Sequence, residues 1–266
     1  MSRICRLFPA SLMLIMMLTA AAANAGPIDE RVQVLLDEMT VEQKVGQMTQ
    51  VTLGILIDKN VKDGVVIVPE KLHEALHTYQ VGSILNTASR SLSVEQWHDV
   101  IKTIQDEALK TGHSIPVLYG IDSIHGANYV KNSTLFPHNL GIAATRNPEL
   151  VQKASRVTAM ETRAAGIRWN FDPVFDLGVN PLRSRFPQTF GEDSYLVEVM
   201  GVANVEGYNQ DGLAAPTSVA SCMKHYLGYS DPANGKDRTP AYIPDVVLWE
   251  KHLPPFAAAV KADSPT

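Results

Sequence analysis

Cysteine is nearly missing from this sequence of 266 residues: only Cys5 and Cys222 occur. Cys5 lies in the N-terminal leader described below, so the mature chain keeps Cys222 alone. No internal disulfide is then available, and the fold must be held by its core. Cys5 also stands too early, and without the small-residue context, to carry a lipid anchor. Cys222 sits in an apolar stretch and reads as a small core residue. A basic stripe is lacking as well. The net charge is −5 with Lys and Arg scattered, which argues against a nucleic-acid partner. No run beyond the N-terminal leader is long and apolar enough to cross a bilayer. A phosphate-binding glycine loop, a G-x-S-x-G elbow and an H-E-x-x-H zinc motif are all absent. His73 and His77 stand four apart on a predicted helix, but no third ligand is evident from the sequence. They read as a surface pair, and no metal site is expected.

What is present begins with the leader. Arg3 and Arg6 give a positive start, an apolar run extends from Leu12 to Ala23, and Ala23-Asn24-Ala25 has the A-x-A form of a cleavage site. Residues 1–25 therefore read as a secretory signal peptide, with Gly26 the first mature residue. A secreted or periplasmic location follows, with no membrane attachment after cleavage. An uncleaved anchor is the alternative, against which the run is short for a span.

Residues 26–266 alternate short apolar runs with longer amphipathic stretches. Ile28 to Met39 has helical spacing, and Thr40 with Gln43 forms a capping box for a second helix. Ser93 with Gln96 forms another, opening a helix to about Lys110. Asn147 followed by Pro148 starts a helix to about Ala165. Tyr195 to Gln210 is helical, and Pro244 to Ala262 is a last helix with a bend at Pro254-Pro255. The runs 81–85, 117–121, 167–171 and 219–223 read as four buried strands. Strands alternating with helices imply βαβ units and a parallel sheet. The expected fold is α/β, a (β/α)8 TIM-type barrel, incomplete in this chain because four strands are too few. The stretch 262–266 trails off a helix without a stop signal, so a fragment is expected.

Ligand sites in such sheets lie beyond the carboxyl ends of the strands. Asp122 directly follows the strand 117–121. A carboxylate there can accept two hydrogen bonds from a vicinal diol, or it can cap the turn that follows; the sequence leaves both open. Lys224-His225 ends the apolar run 219–223, where two cation-capable side chains are costly to bury unless they bind something. A pair of satisfied loop residues is the alternative. The long loop 181–193 carries Arg183 and Arg185, and its Glu192-Asp193 suits the positive end of the next helix. Asp172 and Asp176 are four apart, but Pro173 breaks any helix between them, which favours structural hydrogen bonding over paired acid–base work.

Four segments, Gly120-Ile121-Asp122-Ser123-Ile124-His125-Gly126, Phe190-Gly191-Glu192-Asp193, Lys224-His225-Tyr226 and Gly235-Lys236-Asp237-Arg238-Thr239-Pro240, occur in this order. In that order and spacing they resemble the N-terminal catalytic domain of family 3 glycoside hydrolases of the β-glucosidase type. The resemblance implies a barrel followed by a second domain, and exo-acting, retaining hydrolysis of β-linked glucosides or β-glucan oligosaccharides without a cofactor. By motif position it implies that Asp122, Arg185, Lys224 and His225 bind the terminal sugar. No catalytic residue is assigned. Retention needs two carboxyl groups about 5 Å apart. The family's nucleophile is typically an Asp before Trp, a pair this sequence lacks, and Asp263 has no strand before it. The acid/base of this branch comes from the second domain. The stretch after Lys224-His225 lacks the Gly-Asp-Thr of the family's bacterial N-acetylhexosaminidases. A β-xylosidase or N-acetylglucosaminidase specificity, or a non-catalytic carbohydrate-binding fragment, remain alternatives.

Overall fold

A computed structural model describes residues 26–266; the predicted signal peptide, residues 1–25, lies outside them. The chain divides between Val45 and Gly46. The first part holds helix α1 (Pro27–Glu38) and the start of α2 (Val41–Gln47). The expected capping box opens α2, with Gln43 N donating to Thr40 Oγ1 at 3.3 Å and Thr40 N to Gln43 Oε1 at 2.8 Å.

The second part, Gly46–Thr266, is built on a sheet of five parallel strands: β1 (Gln50–Thr52), β2 (Ser83–Leu85), β3 (Leu118–Ile121), β4 (Trp169–Asn170) and β5 (Ala220–Ser221). They lie side by side in sequence order, as consecutive staves of a barrel do. Helix α3 (Pro69–His73) runs into a wide π-type turn at Glu74–Thr78 between β1 and β2. Helix α4 (Val94–Ala108) joins β2 to β3. The short α5 (Asn139–Ala143) and long α6 (Pro148–Ala164) precede β4, and α7 (Ser194–Asn209) precedes β5. After β5 come α8 (Asp245–Val247), a second wide turn at Leu248–His252, and α9 (Leu253–Lys261). No described helix is long and apolar enough to cross a membrane.

The helix starts follow local chemistry. Ser93 Oγ accepts from Gln96 N at 3.2 Å while Gln96 Oε1 accepts from Ser93 N at 3.0 Å, and α4 begins there. Its buried residues Trp97, Val100, Ile104 and Ala108 fall on one helical face. Asn147 Oδ1 accepts from Glu149 N at 3.0 Å, with Pro148 at the first position of α6. Asp193 Oδ1 accepts from Leu196 N at 2.9 Å, the helix-start role expected of the Glu192-Asp193 pair. At the other end, Pro254 and Pro255 carry no N–H, so the expected single helix is interrupted and α9 restarts with both prolines in its first turn.

The fifth strand is a correction to the expected four. In β1 only Val51 is half-buried between two exposed neighbours, so no apolar run marks it. The predicted strand 219–223 shortens to Ala220–Ser221, since beyond it the backbone pairs irregularly around Pro173: Cys222 N donates to Asp172 O at 2.9 Å and Lys224 N to Pro173 O at 3.0 Å. Cys222 is part-buried rather than in the core. Ser221 takes the fully buried side of the strand, and alternation turns the next side chain the other way.

Two apolar clusters hold the sheet. Leu53, Ile84, Trp97, Ile104, Ile121 and Ile167 are buried among β1–β4 and α4. Phe175, Leu177, Phe190, Val197, Met200 and Phe256 fill the space against α7 and α9. Each such side chain contributes about 1.5–3 kcal/mol by leaving water. The backbone of α7 approaches α6 closely at Gly207, where an added Cβ would stand 2.4 Å from Gln152 O. Beside that contact Ser155 Oγ meets Asn204 Oδ1 at 2.9 Å, fully buried.

Candidate functional site

The polar side chains that converge all follow the carboxyl end of a strand. Asn86 follows β2, Asp122 follows β3, Asp172 and Asp176 follow β4, and Lys224-His225 follow β5. Short parallel strands in register align these positions along one rim.

Asp122 sits in the middle of that rim. Its Oδ2 accepts from Asn86 Nδ2 at 2.7 Å, its backbone N donates to Asn86 Oδ1 at 3.2 Å, and its Oδ1 pairs with Lys224 Nζ. Asn86 adopts φ +62°, a left-handed conformation that asparagine tolerates. Of the two roles open for Asp122, capping its own turn is not the one observed; its oxygens face other strands. A carboxylate has about four lone-pair sites, and two are used, so two remain for a diol.

Lys224 and His225 diverge in their partners. Lys224 is 11% exposed and joins Asp122. His225 Nδ1 meets Asp176 Oδ2 at 2.7 Å, and its backbone N donates to Asp176 Oδ1 at 3.0 Å. Burial holds the His225 imidazole below its ordinary pKa, against the opposing pull of Asp176. The ring is therefore neutral at pH 7, with its proton on Nδ1 toward Asp176 and Nε2 left as an acceptor.

Asp176 is wholly buried and also lies 3.4 Å from Arg183 Nη2. Arg183 is 1% exposed, stands 3.5 Å from Asp237 Oδ1 and lies over the Tyr229 ring at 4.7 Å. Tyr229 OH donates to Asp237 Oδ1 at 2.8 Å. Burial would raise the Asp237 carboxyl, but that hydrogen bond and the nearby arginines outweigh it and hold it below the usual range. Arg185 is the arginine that reaches the open side: its Nε donates to Gln188 Oε1 at 2.9 Å. Asp122 and Arg185, with His125, Asn128, Asp237 and Arg238, line one cleft of ≈ 670 Å³ including the solvent at its mouth. Lys224 and His225 do not line it; Lys224 reaches it through Asp122, and the His225 ring stands 4.7 Å from that of Tyr229, which bonds the lining residue Asp237.

Asp172 lies beneath, fully buried. Its Oδ2 accepts from Tyr208 OH at 2.7 Å and Asn204 Nδ2 at 3.0 Å, while its Oδ1 has no hydrogen-bond partner among the described residues. Burial pushes its pKa up to about 7, against the pull of Tyr208, Lys224 and Asn204. Asp172 and Asp176 thus share no partner, in keeping with separate structural roles. Asn86 and Tyr229 escaped the sequence reading, whereas Asp176 was read as a structural hydrogen-bonding group and Arg183 was noted beside Arg185 without a role at the site. Only its position after the end of β2 could have marked Asn86.

The chain matches the family model described as Glycosyl hydrolase family 3 N terminal domain over residues 40–265. It is 42% identical to a lysosomal beta glucosidase of Dictyostelium discoideum over 87% of this chain and 30% of that protein. A periplasmic beta-glucosidase of Salmonella typhimurium is 30% identical over 86% of this chain and 27% of its own length. The structure of a beta-glucosidase from Listeria innocua in complex with glucose superposes with a TM-score of 0.72 at 27% identity, covering 88% of this chain and 32% of that one. The chain therefore spans about a third or less of each of these three proteins. Its five-stranded parallel sheet is part of their TIM-barrel-like α/β fold. The sequence match and the shared fold agree that this chain belongs to glycosyl hydrolase family 3, as its N-terminal domain.

Proposed function

We propose that this chain is the sugar-gripping part of an exported, exo-acting, retaining β-glucosidase, a hydrolase of the O-glycosyl bonds of β-glucosides or β-glucan oligosaccharides. The observation that carries the reading is the Asp122 carboxylate, fixed between Asn86 Nδ2 and Lys224 Nζ at the strand ends and open to the cleft. Held in this way, Asp122 accepts two neighbouring hydroxyls of a terminal glucose. Lys224 donates to one of the same hydroxyls, neutral His225 accepts through Nε2, and Arg185 donates from the same cleft. Fixed donors and acceptors of this kind bind without reorganising, which is how a sugar's many hydroxyls are oriented for chemistry.

None of these four residues breaks the bond. Retaining hydrolysis requires a nucleophile and an acid/base about 5 Å apart, and neither is assigned among these residues. No cofactor is required by that chemistry. The periplasmic location of the Salmonella typhimurium relative and the reading of residues 1–25 as a signal peptide together support export. The domain limits proposed are residues 1–25 for the leader and 26–266 for the partial barrel.

Calorimetric titration of the chain with glucose tests the subsite directly, and an Asp122→Asn variant should lose the binding. Aryl β-glucoside, β-xyloside and N-acetyl-β-glucosaminide hydrolysis by the longer protein separates the specificities; release from the xyloside alone would replace the glucosidase reading. Secreted material whose N-terminus is Gly26 is the expected result for export.

A further inference from the structure

We propose that His73, His77 and Glu107 form a binding site for a divalent first-row transition cation of the zinc class, apart from the sugar cleft. Sequence spacing offers two histidines; the third donor comes from a helix 34 residues further on. Glu107 Oε1 lies 3.0 Å from His73 Nδ1 and 3.0 Å from His77 Nε2, and the three donor atoms are all within 4.8 Å of one another. None of the three residues lines the cleft beside Asp122.

The fold explains the convergence. His73 ends α3, and the chain then enters the wide turn Glu74–Thr78. A wider turn rotates less per residue, so a side chain four positions on returns almost over the first. The two imidazoles accordingly stack, with centroids 4.1 Å apart and planes at 17°. Both present a nitrogen to the same carboxylate oxygen at the last turn of α4.

Ordinary hydrogen bonding does not account for the cluster. His77 Nε2 is buried and makes no hydrogen bond, although Glu107 Oε1 is at contact distance. The Glu107 oxygen lies off the bonding direction of this nitrogen, which is left without a hydrogen-bond partner among the described residues. Lys110 Nζ takes the other carboxylate oxygen at 2.9 Å, leaving Oε1 to the histidines and fixing the carboxylate plane, the role that outer partners play around bound metals.

The dimensions suit zinc. Its bonds to imidazole nitrogen and carboxylate oxygen are about 2.0–2.2 Å, which places tetrahedral ligand atoms roughly 3.3–3.5 Å apart. The two separations from Glu107 of 3.0 Å need to open by a few tenths of an ångström, and the stacked rings must turn out of parallel so that both in-plane nitrogen lone pairs meet one ion. Two nitrogens and one oxygen favour zinc, copper or nickel over magnesium or calcium, which take oxygen ligands. His73 and Glu107, though not His77, line an open cleft of ≈ 1060 Å³ including the solvent at its mouth, with Ile67, Glu70, Thr103 and Asp106, which leaves room for a water as a further ligand. A bound cation would pin the wide turn to α4.

The test is titration of the metal-free chain with zinc chloride, followed by calorimetry and by thermal unfolding. One equivalent should bind saturably, with loss of binding on adding a chelator and none with magnesium chloride. At zinc a hundredfold above Kd, the unfolding midpoint should rise by roughly 5–10 °C. His73→Gln and His77→Gln should each weaken binding at least tenfold and cut the midpoint shift at the same zinc concentration to about half or less. His73 is 62% exposed, so its variant folds independently of the metal. No saturable binding below about 1 mM zinc, or unchanged binding in both histidine variants, would overturn the proposal.

Discussion

Asn86 and Asp122 grip each other across two neighbouring strand ends, amide to carboxylate at 2.7 Å and backbone N–H to amide oxygen at 3.2 Å. The reciprocal pair uses both functional ends of the asparagine, so the carboxylate is aimed before any ligand arrives. Lys224, from the segment after β5, then completes the set from across the sheet.

Asp122→Asn removes the charge that Lys224 and a diol both use. A hydrogen bond to a charged group is worth about 1.5–3 kcal/mol, which is roughly a 10- to 150-fold loss of glucose affinity. Asn86→Ala should lose less, since the carboxylate stays but is no longer aimed. Calorimetric titration of both variants checks the order, and an Asp122→Asn protein that binds glucose as well as the parent removes Asp122 from the subsite.

Arg183 and Asp176 are each 1% exposed, so their ion pair is out of water. Arg183→Ala leaves a buried carboxylate supported by His225 alone and should cost about 3–5 kcal/mol. The double change Arg183→Met with Asp176→Asn removes both charges and should recover most of that loss. Urea unfolding of the single and double variants measures the coupling; equal losses in both would mean the pair is not the source.

Stability should fall as pH rises through the range set by Asp172. Its folded pKa is raised to about 7 from an ordinary 3.8, so the native state holds a proton that the unfolded chain releases. The contribution is fully present below pH 4 and is lost by about pH 7, a change on the order of 4 kcal/mol. His125, His225 and His252 act oppositely: their pKa values are lowered by burial, and they cost stability as pH falls below the usual imidazole range. Urea unfolding from pH 4 to 8 should therefore show a loss on the alkaline side that Asp172→Asn abolishes. An identical alkaline slope in Asp172→Asn would show that the carboxyl is not protonated in the native state.

Gly207→Ala should push α7 off α6, because the new Cβ meets Gln152 O at 2.4 Å and neither backbone can yield. Overpacking of this kind costs about 1–3 kcal/mol. A guanidinium midpoint unchanged from the parent would show that the two helices can separate freely.

Much of the fold was legible along the chain because its signals are local. Capping boxes at Thr40 and Ser93, and the Asn147-Pro148 start, act within four residues, and each opens a helix where expected. The strands after Val81 are apolar enough to show themselves. β1 was not legible, because one half-buried valine carries no pattern and its pairing with β2 exists only once the sheet forms.

The sequence alone determined the α/β alternation, the strand ends at which polar residues gather, and the family motifs that single out Asp122, Arg185, Lys224 and His225. Tertiary structure decided who meets whom. Lys224 finds Asp122 across 102 residues, His225 finds Asp176 across 49, and His73 finds Glu107 across 34. It also decided which arginine is buried, Arg183, and which lines the cleft, Arg185. The reason is physical: capping and periodicity act between near neighbours, whereas ion pairing and desolvation depend on distances that exist only after the sheet has been assembled.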